Sequence, residues 1–253
     1  MLPVIQIGPA AVQTPGLVIL IGLWVGVWLA ERRALRLRLN PDALNTLVMA
    51  GLGAGLVGAR LGHIAQHWSA YQGDPWAVVA LTPATLWPEA GLAAGFIAAL
   101  VAGQRQRLPF RPTLDALAPA LAILAVSLSA ANFCSGEAFG APTSLPWAVS
   151  LWGAARHPTQ LYDLVIGLAV FALIWWGPFC QDRRGLNGLL AAAGLAAGRL
   201  ITEGVRGDSV VWAGGWRAAQ IVALIILTVA LIGLRRWSRP AAEADAPAPL
   251  DGG

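Results

Sequence analysis

The stretch "GLVILIGLWVGVWLAERRALRLR", residues 16–38, runs from Gly16 to Ala30 without a charged side chain and then sets down Arg32, Arg33, Arg36 and Arg38. An apolar run closed by a basic cluster reads as a membrane-spanning helix whose basic end stays cytoplasmic. Its charges follow the apolar run instead of preceding it, so an uncleaved span is expected, not a secretory signal. The rest of the chain repeats this pattern. All 17 basic residues are arginine, and further clusters fall at Arg105, Arg107 and Arg111, at Arg183 and Arg184, and at Arg235, Arg236 and Arg239.

Each interval between clusters, roughly 50 to 70 residues, accommodates two crossings and a loop. If every cluster is cytoplasmic, the number of crossings between clusters is even. One crossing before the first cluster then gives seven spans, with the N-terminus outside and the C-terminus in the cytoplasm. The expected spans are 15–30, 44–66, 86–103, 113–130, 160–178, 187–202 and 216–234. The expected fold is therefore an all-α polytopic membrane protein. Residues 1–238 form a single transmembrane domain, and 239–253, "RPAAEADAPAPLDGG", form a disordered cytoplasmic tail.

Composition agrees: 57% of the 253 residues are hydrophobic and 12% charged, against about 25% charged in soluble domains. The clustered arginines read as topology signals, so a lipid bilayer is expected as partner and nucleic acid is not. Trp68, Trp87, Trp147, Trp152, Trp212 and Trp216 near span ends suit an interfacial belt. Cys134 and Cys180 fall on opposite sides of the membrane in this topology, which argues against a disulfide. His63 and His67, at i and i+4, have no third ligand nearby, and no metal site is expected.

Five arginines stand apart from the clusters: Arg60, Arg156, Arg199, Arg206 and Arg217. They lie within or on the outer side of the expected spans, where an ionisable group is costly and is either paired or functional. Glu89, Glu137, Asp163, Glu203 and Asp208 are the available structural partners. Five guanidiniums on one leaflet favour an anion site, and a phospholipid headgroup is the phosphate found at that depth. In "GRLITEGVRGDS", 198–209, Arg199, Glu203 and Arg206 at i, i+4 and i+7 share one helix face, with an acid between two guanidiniums. The 131–147 segment, "ANFCSGEAFGAPTSLPW", suits an ordered loop on the membrane interface. In "AARHPTQLYDL", 154–164, polar groups crowd the mouth of the fifth span.

At these residues the chain resembles the prolipoprotein diacylglyceryl transferases. The matching stretches are "ARLGH" at 59–63, "NFCSGEAFGAPTSLPW" at 132–147, "RHPTQLYD" at 156–163 and "GRLITEGVR" at 198–206, followed by Gln220. The resemblance implies transfer of a diacylglyceryl group from phosphatidylglycerol to the cysteine thiol of a lipoprotein precursor peptide. A thioether forms and glycerol phosphate leaves, with no metal or redox cofactor. It implies a bacterial inner membrane, with the active site toward the outer leaflet. Carried over by position, Asn132, Gly136 and Glu137 surround the headgroup, with Arg60, Arg156, Gln160, Tyr162 and Arg206 as further substrate-binding residues. Glu89, His157, Arg199 and Glu203 are the candidate catalytic residues, with Arg199 the first choice for the phosphate contact.

Three departures stand out: Pro15 where the family usually has a tyrosine, Glu89 where it has a histidine, and Ser129 where it has an arginine. Glu89 would serve as a base in place of the imidazole if buried in an apolar span. The alternatives are an Arg60–Glu89 ion pair, the same pocket with an altered donor or acceptor, and a non-catalytic phospholipid-binding protein. A transporter would be expected to show an internal repeat, and none is visible.

Overall fold

The computed structural model describes residues 4–7, 10–72, 85–176, 185–212 and 214–238. Cys180, Arg183, Arg184, Arg239 and the expected disordered tail lie outside the described residues. Seven helices of 18 residues or more are present among those described: α1 (Thr14–Arg36), α2 (Pro41–Gln66), α4 (Pro88–Arg105), α5 (Phe110–Ser135), α6 (Thr159–Trp176), α7 (Leu186–Glu203) and α8 (Ala218–Trp237). The one-turn α3 (Trp68–Tyr71) follows α2. All seven expected spans coincide with these helices. Several helices run past the expected ends, α1 to Arg36 and α5 to Ser135, because a helix persists beyond the apolar stretch once its first turns are paid for.

Five helices, α1, α2, α5, α6 and α8, are long and apolar enough to cross a membrane. The chain is an all-α polytopic membrane protein, in which helices satisfy every backbone group internally. The apolar helices α4 and α7 each carry three glycines among several alanines, and the packing shows why.

The chain divides into two units, residues 1–30 with 114–253 and residues 31–113. In the second unit α2 and α4 pack backbone to backbone. A Cβ on Gly91 would lie 2.8 Å from the Gly55 carbonyl oxygen, and one on Gly95 would lie 2.8 Å from that of Gly51. Two facing small-xxx-small stripes of this kind are the usual way helices approach closely in lipid. Since backbone cannot swing aside, Gly95→Val is expected to lower stability by about 1–3 kcal/mol. Thermal unfolding in detergent micelles checks this, and an unchanged midpoint would contradict the close approach. Arg60 on α2 is buried; its Nη1 donates to the Thr85 carbonyl at 3.0 Å and its guanidinium lies over the Tyr71 ring. His63 and His67 close α2 with their rings stacked at 4.3 Å.

In the first unit Ala118 and Ala122 of α5, Val170 and Ile174 of α6 and Ala191 of α7 form a buried core. Helix α7 is wedged among its neighbours. Gly188 meets Leu114, Gly194 meets Val170 and Gly198 meets Ile166, each closer than a Cβ would permit without a shift. Its start is capped in trans: the buried Asp115 carboxylate accepts the backbone N–H groups of Gly185 at 2.5 Å and Gly188 at 3.1 Å. A carboxylate there satisfies donors that a helix start leaves open and complements its dipole.

Two hairpins go beyond the all-helical expectation. β1 (Val4–Ile7) pairs with β2 (Ala10–Gln13), and β3 (Val149–Leu151) pairs with β4 (Ala154–Arg156). The β3–β4 turn is Trp152-Gly153, with φ of 54° and 75°, the positive values a two-residue turn of this hand requires. Bridges from Pro142 to Arg156 and from Gly140 to Arg206 continue the pairing. Three chain segments thus meet in a small sheet beside the ends of α5, α6 and α7.

Candidate functional site

The sheet sets the geometry. Ala141 N–H donates to the Val205 carbonyl at 2.8 Å and Gly207 N–H to Phe139 at 2.9 Å, while Gly140 and His157 exchange backbone bonds with the 157 and 141 carbonyls at 3.1 Å. A Cβ on Gly140 would lie 2.4 Å from the His157 carbonyl oxygen, so only glycine fits where these backbones cross. The loop after α5 is thereby tied both to the mouth of α6 and to the end of α7.

Beside it lies a cleft of about 340 Å³ lined by Ala125, Leu128, Ser129 and Asn132 of α5, Asp163 and Ile166 of α6, and Leu195 and Arg199 of α7, with Arg206 beyond α7. The spacings are helical: i, i+3, i+4, i+7 on α5, i, i+3 on α6 and i, i+4 on α7, so each helix turns one face inward. Its charged wall is one network. Arg199 Nη1 and Arg206 Nη1 lie 3.6 and 3.5 Å from the same oxygen, Asp163 Oδ2. Arg199 Nη2 is 3.0 Å and Arg206 Nε 3.8 Å from Glu203 Oε2. That oxygen is fully buried and held by charge, with no aligned hydrogen bond. Asp208 grips Arg206 from the other side at 2.9 and 3.3 Å. Arg217, at the N-cap of α8, donates through Nη1 to the Glu203 and Arg206 carbonyls and to Ser209 Oγ, closing the end of α7.

The structure therefore brings Asn132, Arg199, Glu203 and Arg206 together. The remaining expected site residues of this unit contact the loop after α5 and the small sheet. Gly136, at φ 79°, ends α5 by donating its N–H to the Asn132 carbonyl, a left-handed helix stop suited to glycine. Glu137 offers its backbone carbonyl to Gln160 Nε2 at 2.7 Å while its side chain is exposed. Arg156 donates to the Leu151 and Gly140 carbonyls and lies over the Phe139 ring, bracing the sheet. His157 Nδ1 is 3.4 Å from the Tyr162 hydroxyl, which accepts the Trp147 indole N–H at 2.8 Å. Trp152 donates to the Gly136 carbonyl at 3.1 Å. Trp147 and Trp152 thus tie the loop in addition to lying exposed near span ends.

Arg60 and Glu89 belong to the other unit. Glu89 is exposed in the first turn of α4, behind Pro88 at the helix start, so it is not buried within a span as a base there would have been. An acid in a first helical turn contributes about 0.3–1 kcal/mol through the dipole. Glu89→Gln is expected to cost no more than that in thermal unfolding; any large loss of turnover in this variant would then be chemical, whereas severe destabilisation would show the position is structural.

The site residue that sequence reasoning passed over is Asp163. It was visible at the end of "RHPTQLYD" only as one of several acids available to pair with arginine. It joins Arg199 and Arg206 from another helix, so no local spacing signalled it. Ser129 lines the cleft too, and its hydroxyl donates to the Ala125 carbonyl of its own helix at 2.9 Å. The α5 wall consequently carries no cation.

Comparison with known proteins shows the family. The family profile described as prolipoprotein diacylglyceryl transferase matches residues 3–236. Proteins named phosphatidylglycerol–prolipoprotein diacylglyceryl transferase are similar to the chain throughout. That of Trichormus variabilis is 32% identical over 91% of this chain and 87% of its own length. That of Thermosynechococcus vestitus is 31% identical over 92% and 91%, and that of Gloeobacter violaceus 30% identical over 96% and 95%. With its apolar helices and the polar cleft at the end of α7, the chain belongs to the prolipoprotein diacylglyceryl transferase family.

Proposed function

We propose that the protein transfers the diacylglyceryl group of phosphatidylglycerol to a cysteine thiol of a lipoprotein precursor peptide. The observation that carries this reading is the convergence of the Arg199 and Arg206 forks on one carboxylate oxygen in a cleft at the end of apolar helices. Two guanidiniums aimed at one anionic point suit a phosphate ester. The sulfur attacks the sp3 glycerol carbon bearing the phosphate. The C–S bond forms, the C–O bond breaks, and its electron pair goes to the departing phosphate oxygen of glycerol phosphate. Arg199 and Arg206 stabilise that developing charge.

The thiol proton needs a base. His157 can serve if its Nδ1–H donates to Tyr162, since Nε2 then keeps its lone pair. Asn132 flanks the headgroup, and Gly136, Glu137, Arg156, Gln160 and Tyr162 hold the loop around it. In this reading α4 and α7 join the five long apolar helices as spans, giving seven. The N-terminus is outside the bacterial inner membrane, residues 239–253 are cytoplasmic, and the cleft faces the outer leaflet.

The test is mass spectrometry of a cysteine-containing precursor peptide incubated with purified protein and phosphatidylglycerol. A diacylglyceryl mass gain is expected. No gain, with phosphatidylglycerol still bound, would reject this transfer in favour of an altered donor or acceptor, the change that Ser129 in the cleft wall would accompany.

A further inference from the structure

We propose that Asp163 is an internal stand-in for the substrate phosphate: it holds the two guanidinium forks in register while the cleft is empty, yields them to the incoming diester, and hastens departure of the more highly charged product. The inference rests on the transferase reading for the identity of the two anions. Asp163 Oδ2 sits where an anion would sit, within 3.6 Å of one nitrogen from each of Arg199 and Arg206. Both distances exceed the about 2.7–2.9 Å of a charge-assisted hydrogen bond, so these forks are occupied loosely enough to be taken over. Arg199 keeps a tighter approach, 3.0 Å, to Glu203, and Arg206 one of 2.9 Å to Asp208. Those two partners, Glu203 and Asp208, stand outside the cleft lining, whereas Asp163 lines it together with both arginines.

Charge balance supplies the second half of the argument. Among the described residues the cluster combines the guanidiniums of Arg199, Arg206 and Arg217 with the carboxylates of Asp163, Glu203 and Asp208, so it is neutral before substrate arrives. A phosphodiester adds a single negative charge. Glycerol phosphate, a monoester with a second pKa near 6, carries about −1.5 to −2 at pH 7. The fixed Asp163 carboxylate repels the second state more than the first, and in a partly buried site this repulsion is weakly screened. Asp163 is thus a positioning residue that tilts the cleft from product toward donor.

The experiment is equilibrium binding of glycerol phosphate to detergent-solubilised wild-type, Asp163→Asn and Asp163→Glu proteins in the absence of peptide. Steady-state transfer kinetics are measured alongside. Asp163→Asn is expected to bind glycerol phosphate about tenfold more tightly, with KM for phosphatidylglycerol and kcat both lowered because product is retained; Asp163→Glu, which keeps the charge, is expected to restore wild-type binding. Unchanged or weaker binding in Asp163→Asn would overturn the proposal, as would equal tightening in Asp208→Asn, which removes a carboxylate from the same network outside the cleft lining. Binding is read without turnover. A wild-type protein that transfers nothing would therefore reject the transferase reading while the glycerol phosphate result still judged Asp163.

Discussion

Arg199→Ala is expected to reduce diacylglyceryl transfer by about 10²–10³-fold, the usual cost of removing one donor that stabilises charge developing in a transition state, while the chain folds nearly as before. Arg199 is the most exposed of the ion-paired side chains, 36% accessible beside 29% for Asp208, 9% for Arg206 and 2% for Glu203. It also stands where the polar cleft adjoins an apolar groove between α7 and α8, lined by Ala192, Leu195, Ala196, Val222, Ala223 and Ile226. A group at that junction can hold the phosphate of a molecule whose hydrocarbon lies alongside. The fold loses little because Glu203 keeps Arg206 as a partner and the end of α7 stays clipped by Arg217. Arg199→Lys should recover only part of the rate, since an ammonium keeps the charge and forfeits the fork. Initial rates by mass spectrometry, with circular dichroism as the folding control, decide the matter. A rate within threefold of wild type would remove Arg199 from the phosphate site.

Membrane-spanning helices are legible in sequence because hydrocarbon leaves so few choices: each crossing must be a long apolar helix, and arginine marks where it emerges. That is why the seven expected segments coincide with α1, α2 and α4–α8, including the two glycine-rich ones. The small sheet was not legible. Its pieces, 140–142, 154–156 and 205–207, come from three distant segments too short to show an alternating pattern, and its turn lacks the asparagine-glycine or aspartate-glycine signature that usually advertises one.

The site divides along the same line. Arg199, Glu203 and Arg206 share one short stretch, where helical spacing alone predicts that they act together. Asp163 joins them from another helix, a tertiary event that no local spacing reports. Arg156 had the residue type for an anion site, yet the carbonyls of Leu151 and Gly140 take up its guanidinium. Glu137 contributes through its backbone, which sequence type does not specify.

The second large effect is expected at Glu203. This side chain is among the most deeply buried in the molecule, and its Oε2 is shared by Arg199 and Arg206. Taking away one partner of a buried ion pair typically costs about 3–5 kcal/mol, because the other charge is stranded. Here Asp163 and Asp208 remain to share Arg206, so Glu203→Gln is expected near the lower end, about 3 kcal/mol, measured as a fall in the unfolding midpoint in micelles. Transfer should fall further than stability accounts for, by about 10²-fold at a temperature where the variant is fully folded. With the shared oxygen neutral, the two forks are no longer held at a fixed separation, and small misplacements of this kind carry penalties of that order. Glu203→Asp separates the two contributions: it keeps the charge but withdraws it by one methylene, so stability should largely return while the rate does not. If Glu203→Gln unfolded at the wild-type temperature, the carboxylate would not be the counter-charge that holds this network. If Glu203→Asp restored the full rate, charge alone would suffice and the spacing of the two arginines would not be what Glu203 provides.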